Sequence, residues 1–195
     1  RIDEINLYNI TDLFCDNNIC SIGTSNRSFY CDSNHLCNYG AAKLTNIVDT
    51  QPNIINTTGA IHYLTKKEIL DNAQYLEIEK DKRRELVAFI IGGPNKYYKY
   101  SEKQIHQLFN KVKTLFTPDR YKIIVIPSYR TPENILKIAF NTFNEDHHVV
   151  KTIDKKAYLS ALAISNYIVV TCDSTSMISE AAMTGKPVYI AMMKS

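Results

Sequence analysis

The chain has 195 residues, enough for one large or two small domains, and 45% of them are hydrophobic, an ordinary share for a globular core. With 23 Lys and Arg against 20 Asp and Glu the net charge is +3, too balanced to argue for a nucleic-acid partner, and no apolar run approaches the roughly 20 residues that a membrane span needs. The opening Arg1-Ile2-Asp3-Glu4 does not begin a signal peptide, so a soluble, cytoplasmic protein is expected, and a start on Arg rather than Met is what a fragment or trimmed product would show.

From Arg1 to about Asn53 the chain is rich in Asn, Ser, Thr and Cys and poor in periodic apolar pattern. Only Ile5, Leu7, Ile10, Leu13, Phe14, Leu44, Ile47 and Val48 offer core. This part reads as an incomplete partner layer. Four of the five cysteines, Cys15, Cys20, Cys31 and Cys37, fall here beside His35, but none of the spacings is the tight pair of a structural zinc site, so free thiols and no metal are expected. Three matches to the Asn-x-Ser/Thr acceptor pattern, at Asn9, Asn26 and Asn56, are read as chance in so Asn-rich a sequence.

Asn53-Ile54-Ile55 predicts a short strand running into a glycine turn at Gly59. Thr65-Lys66-Lys67-Glu68 then has capping-box spacing and predicts a helix through about Leu76. His62, just before it, is read as structural rather than catalytic. The charged run Glu77 to Glu85 is a solvated connector, which divides the chain into an incomplete amino-terminal half with its linker (1–80) and a second half (81–195).

Beyond that connector, strand and helix patterns alternate. Leu86-Val87-Ala88-Phe89-Ile90-Ile91 is a buried strand, and Ile105, Leu108, Phe109, Val112, Leu115 and Phe116 follow at helical spacing. Ile123 to Ile126 is the next strand, and Pro132 opens a helix with Ile135, Ile138, Ala139 and Phe143 on its apolar side. Val149, Val150 and Ile153 mark a short strand, and Tyr158, Ala161, Leu162 and Ser165 one face of a short helix. Tyr167 to Thr171, a helix ended by Gly185 and Pro187, and Val188 to Met192 complete the series. Such alternation predicts an α/β fold, a Rossmann-like parallel sheet covered on both faces, with ligands at the carboxyl ends of the strands.

Three loops leave strands at that edge. Gly92-Gly93-Pro94-Asn95-Lys96 permits close backbone approach and carries a positive charge, without the spacing of a dinucleotide fingerprint or a P-loop. Pro127-Ser128-Tyr129-Arg130-Thr131-Pro132 sets an arginine fork between two hydroxyls. In Thr171-Cys172-Asp173-Ser174-Thr175-Ser176, Asp173, Ser174 or Ser176 can cap a helix whose remaining N–H groups suit an anion. On that helix Ser176, Ser179, Glu180 and Met183 share a face able to meet a ligand, while Ile178, Ala181 and Ala182 face the sheet; Glu180 suits ribose hydroxyls. Convergence of the three loops on one crevice predicts a nucleotide-sugar or similar phosphate-bearing ligand.

Ile91 to Lys96, Pro127 to Pro132 and Val170 to Ala181, with Gly185-Lys186-Pro187 behind them, resemble the mitochondrial-fission "elongated mitochondria" family, whose bacterial members are described as glycosyltransferases; Asn53 to Ala60 is similar to the end of its amino-terminal half. The resemblance covers roughly residues 53 to 193. It implies a fold like that of GT-B glycosyltransferases, with a truncated amino-terminal half and a second half, cut short at its end, that holds the donor. Carried over, Gly92, Gly93, Lys96, Ser128, Arg130, Thr131, Ser174, Ser176 and Glu180 become donor-site residues, and the same motifs add Asn95, Asp173 and Met177. The family's usual Ser-Arg-Arg-Thr is Ser128-Tyr129-Arg130-Thr131 here, one positive charge fewer.

The expected partners are a nucleotide-diphospho-sugar donor and an acceptor of unspecified kind, with no cofactor and no identified catalytic residue. Two other readings stay open. One is a nucleotide-sugar-binding scaffold without turnover, in peripheral contact with the inner membrane. The other is a nucleotide-sugar epimerase, disfavoured by Ala181 where a further acidic residue is needed.

Overall fold

The computed structural model describes residues 60, 62–78, 81, 83–143 and 146–193, and among residues 1–59 the backbone of short strands. The strand expected at Asn53 to Ile55 and the side chains of Cys15, Cys20, Cys31 and Cys37 lie outside the described residues. The short strands are β1 (Leu7–Asn9), β2 (Cys15–Asp16), β3 (Ile19–Cys20), β4 (Gly23–Thr24), β5 (Arg27–Ser28), β6 (Tyr30–Asp32) and β7 (His35–Leu36). β2 with β3, β4 with β5, and β6 with β7 form antiparallel two-stranded units.

A short helix, α1 (Lys66–Asp71), follows, capped by Thr65, whose hydroxyl accepts from the Glu68 N–H at 3.1 Å. The capping site is where the sequence puts it, but the helix ends at Asp71 rather than near Leu76. Asn72 closes it: its N–H bonds back to the Ile69 carbonyl and its side-chain amide to the Glu68 carbonyl, an intramolecular competitor to further helix.

Five strands and four helices then alternate: β8 (Glu85–Ile91), α2 (Glu102–Leu115), β9 (Tyr121–Pro127), α3 (Glu133–Phe143), β10 (His148–Val149), α4 (Lys155–Ile164), β11 (Tyr167–Thr171), α5 (Thr175–Ala182) and β12 (Val188–Ala191). The fold is α/β and Rossmann-like. All five strands are parallel, and the sheet order is β1-β12-β11-β8-β9-β10, with β1 antiparallel on the outer edge. Pro132 sits one residue before α3 and its carbonyl accepts from the Leu136 N–H, so it precedes the first turn. β10 is shorter than the pattern of Val149, Val150 and Ile153 suggested; pairing ends where the Val150 N–H reaches the Val125 carbonyl, and Ile153 is exposed.

Why the sheet forms is plain from β8, β9 and β11, whose apolar residues are buried in unbroken runs as strands covered on both faces require. One layer contains α2 and α3: Phe89 of β8, Phe109 and Phe143 form an edge-to-face triad with centroids 5.3 to 6.0 Å apart. Each fully buried ring adds roughly 2–3 kcal/mol of apolar burial. α4 crosses from β10 to β11 over β8 and β9, and right-handed crossover puts α4 and α5 on the opposite layer. α1 packs on α4.

Strand order reverses between β8 and β11. There the chain leaves β8 toward one layer and β11 toward the other, the switch point at whose carboxyl edge ligands bind in open α/β sheets.

Candidate functional site at the sheet switch point

The loops after β8, β9 and β11 meet at this edge, and one carboxylate joins them. The Asp173 side chain is fully buried. Its Oδ2 accepts from the Gly93 N–H at 3.1 Å and the Arg130 guanidinium at 2.6 Å. Its Oδ1 accepts from the Tyr100 hydroxyl at 2.5 Å and the Thr171 hydroxyl at 2.6 Å. The Asp173 carbonyl accepts from Asn95 Nδ2 and, at 3.3 Å, from Arg130. A buried charge persists when it is paired and its lone pairs are taken up, and here four donors do so.

Both glycines are needed for this approach. A Cβ on Gly92 would overlap the Asp173 carboxylate, and one on Gly93 the Arg130 backbone. Thr131 ties the first two loops, accepting from the Ser128 N–H at 2.8 Å while its hydroxyl reaches the Ile91 and Gly92 carbonyls. Asn95 folds its own loop by accepting from the Tyr97 and Tyr98 N–H groups. Burial, then the Asp173 charge, push the Tyr100 hydroxyl well up, so it remains a donor. Burial also raises Tyr98 to about 12 and the Cys172 thiol to about 11, which keeps that thiol un-ionised and unreactive near neutral pH.

Helix α5 opens directly from this junction. Ser174 is its cap, accepting from the Met177 N–H at 3.5 Å, whereas Asp173, an equal candidate from sequence, turns inward. Arg130 lies against the start of α5 with its side chain 39% exposed, so one guanidinium edge holds Asp173 and another faces outward. The positive end of the helix dipole and Arg130 therefore reinforce one another at the same spot.

The expected site residues divide. Gly92, Gly93, Asn95, Ser128, Arg130, Thr131, Asp173 and Ser174 are brought together, and of these Arg130 is the charged side chain with outward-facing atoms. Lys96 belongs to the same loop but is exposed, its ammonium 5.4 Å from the Tyr97 ring centroid. Met177 packs against the core. Ser176 and Glu180 are half-buried, one helical turn apart. Ser179 departs from the ligand-facing role the helical wheel gave it: it is buried, and its hydroxyl accepts from the Ala60 N–H at 3.0 Å because the segment before α1 lies over that side of α5.

Glu180 makes its contact elsewhere. Its Oε2 accepts from the Tyr158 hydroxyl of α4 at 2.6 Å. Burial first, then the Glu180 charge, hold Tyr158 well above the usual range, so it too stays a donor. α4 packs over β8 and β9, so Glu180 lies on the flank of α5 that is turned toward α4.

Lys186, between Gly185 and Pro187, reaches the Leu162 and Ala163 carbonyls at 2.6 Å and caps the end of α4. Gly185 itself takes φ 71°, the left-handed conformation that ends α5. The sequence places Tyr158 on a helix face and Lys186 in the Gly-Lys-Pro turn but gives neither of them, nor Tyr100, a role at the site; for Tyr158 the available signal is a tyrosine on a core-facing helix side, whose buried hydroxyl demands a partner. Among the described residues no group of His, Cys, Asp and Glu side chains is arranged to hold a metal ion, and no helix is long and apolar enough to cross a membrane.

The comparisons with known proteins divide the chain. Residues 1–50 match the family model described as SGNH domain (fused to AT3 domains). An uncharacterized protein of Rickettsia prowazekii is 30% identical over 149 residues, 73% of this chain and 41% of its own length. Mitochondrial fission protein ELM1 of Arabidopsis thaliana is 31% identical over 144 residues, 72% of this chain and 33% of its own length. The chain thus spans between a third and about two fifths of these relatives, and no solved structure matches it. With residues 43–195 matching the model described as mitochondrial fission ELM1, the chain belongs to that family.

Proposed function

We propose that the switch-point crevice binds the diphosphate of a nucleotide-diphospho-sugar donor, and that the protein is a GT-B-type glycosyltransferase half. One observation carries the reading: Arg130 is held by Asp173 at 2.6 Å against the start of α5, with its side chain 39% exposed. In transfer the sugar's bond to the diphosphate oxygen breaks and its electron pair leaves with the nucleoside diphosphate. The acceptor hydroxyl forms the new bond and loses its proton. Arg130, Lys96 and the N–H groups opening α5 stabilise the departing charge, with Ser128, Thr131, Ser174 and Ser176 supplying hydroxyls around it and Glu180 accepting from the ribose.

Calorimetric titration with uridine, guanosine, adenosine and cytidine diphosphates tests this. One of them binds, and Arg130→Gln, which keeps a donor for Asp173 but removes the charge, lowers its affinity by about tenfold or more. Unchanged affinity in that variant overturns the reading.

A second reading is favoured by the name of the Arabidopsis relative, which speaks of organelle fission rather than of sugar transfer. There the same crevice serves a cytoplasmic, nucleotide-sugar-binding scaffold peripheral to the inner membrane. Donor hydrolysis or transfer by a full-length relative separates the two: turnover supports the enzyme, and binding without turnover the scaffold.

A further inference from the structure

Glu180 and Tyr158 stand apart from the junction at Asp173. Glu180 lies five residues beyond Thr175, so about 8 Å down α5 from its first residue, on the side away from the sheet edge. A carboxylate offers about four lone-pair positions on two oxygens. Among the described residues one bond is made to it, from Tyr158 to Oε2, and Oε1 accepts none.

Tyr158 is rigidly placed for this. It sits in the second turn of α4, after the Asp154 cap, and its ring packs against the core. The start of α4 is itself fastened: Tyr75 donates to Asp154 at 2.7 Å and Lys155 to Glu68 at 2.8 Å, tying it to α1 and to the turn beyond it. Freed of that hydroxyl, a half-buried Glu side chain has several rotamers and no reason to keep one oxygen toward the crevice.

Resting on the donor-site reading, we infer that Tyr158 is a positioning residue. By holding Oε2 of Glu180 it presents Oε1 to the vicinal 2′- and 3′-hydroxyls of the ligand's ribose, so the pair makes the crevice select ribonucleotides over deoxyribonucleotides.

The experiment compares the tightest-binding ribonucleoside diphosphate with its 2′,3′-dideoxy counterpart, by calorimetry on the 195-residue chain, in the native sequence and in Tyr158→Phe and Glu180→Asp. The native protein prefers the ribose form by about tenfold or more, because a site built to bond hydroxyls is left unpaired by an analogue without them. Tyr158→Phe keeps the ring and loses only the hydroxyl. It lowers that preference by about fivefold, with the dideoxy affinity nearly constant. Glu180→Asp, one methylene too short to touch Tyr158 and ligand together, lowers it likewise, and serves alone if Tyr158→Phe does not fold. Equal loss for both ligands, or an unchanged ratio in either folded variant, overturns the positioning role while leaving diphosphate binding intact. Failure of the native chain to bind any of the four diphosphates overturns the donor-site reading itself, and the inference with it.

Discussion

Asp173 and Glu180 are seven residues apart, one in the turn that follows β11 and the other on α5, and their carboxylates have opposite circumstances. Asp173 is fully buried and takes donors from Gly93, Arg130, Tyr100 and Thr171, which come from all three loops at the sheet edge. Glu180 is half-buried and takes one, from Tyr158. A carboxylate whose lone pairs are filled by its own protein acts as a frame. One with an oxygen left over can be completed by a ligand. Burial and donor number, rather than motif membership, separate the two roles.

The largest effect expected from breaking this comparison is at the frame. Asp173→Ala removes the counter-charge of Arg130 and leaves the Tyr100 and Thr171 hydroxyls and the Gly93 N–H without their acceptor. Each buried donor left without its acceptor costs about 1–3 kcal/mol, so the chemical-denaturation midpoint should drop steeply. A change under about 1 kcal/mol would mean that the three loops are held together by packing alone.

A second prediction serves as a control at the far end of the sheet. Burial pushes the His147 imidazole down to about 4, and its Nδ1 accepts from the Ile123 N–H at 3.2 Å, a bond that protonation would break. In the unfolded chain the same group titrates near its ordinary value of 6.5. Between those values the unfolded state binds the extra proton, so stability is full above about pH 6.5 and is lost as pH falls toward 4, by up to about 3 kcal/mol. His148, also lowered by burial, works in the same direction. His147→Gln should flatten the stability-pH profile, measured by denaturant titration from pH 7 to 4, and leave nucleotide affinity at neutral pH unchanged. An equal acid dependence in that variant would assign the loss to other groups.

The frame was only half legible in the sequence, for a physical reason. β8, β9 and β11 announce themselves as β-branched runs because they are buried on both faces, and α5 is bounded by a local cap and by Gly185. Information of that kind lies within a few residues. The identity of three of the four donors to Asp173 does not, since they come from positions 93, 100 and 130, and only Thr171 is a near neighbour. Locally Asp173 and Ser174 are equivalent caps, and only the buried charge of the assembled edge decides that Ser174 turns outward to the helix. The helical wheel placed Ser179 toward a ligand for the same reason: the 3.6-residue period says which residues share a face, and nothing about the Ala60 segment that covers part of it. Position on that wheel singles out Glu180, whereas the helix face that carries Tyr158 says nothing of its bond to Glu180, 22 residues away on another helix.

The smallest expected change in stability is the sharpest test of the contrast. In Glu180→Gln the amide oxygen can still accept from Tyr158, so the buried hydroxyl stays satisfied and the cost to folding should stay within about 0.5–1 kcal/mol. The charge is lost, however, and with it the stronger, charge-assisted bond to a ribose hydroxyl, so ribonucleotide affinity should fall several-fold. A variant that keeps its melting temperature and loses affinity is what a ligand-completed carboxylate predicts. Should Glu180→Gln instead melt as early as Asp173→Ala, both acids would be structural ties. The wall of the crevice would then be as closed as its floor.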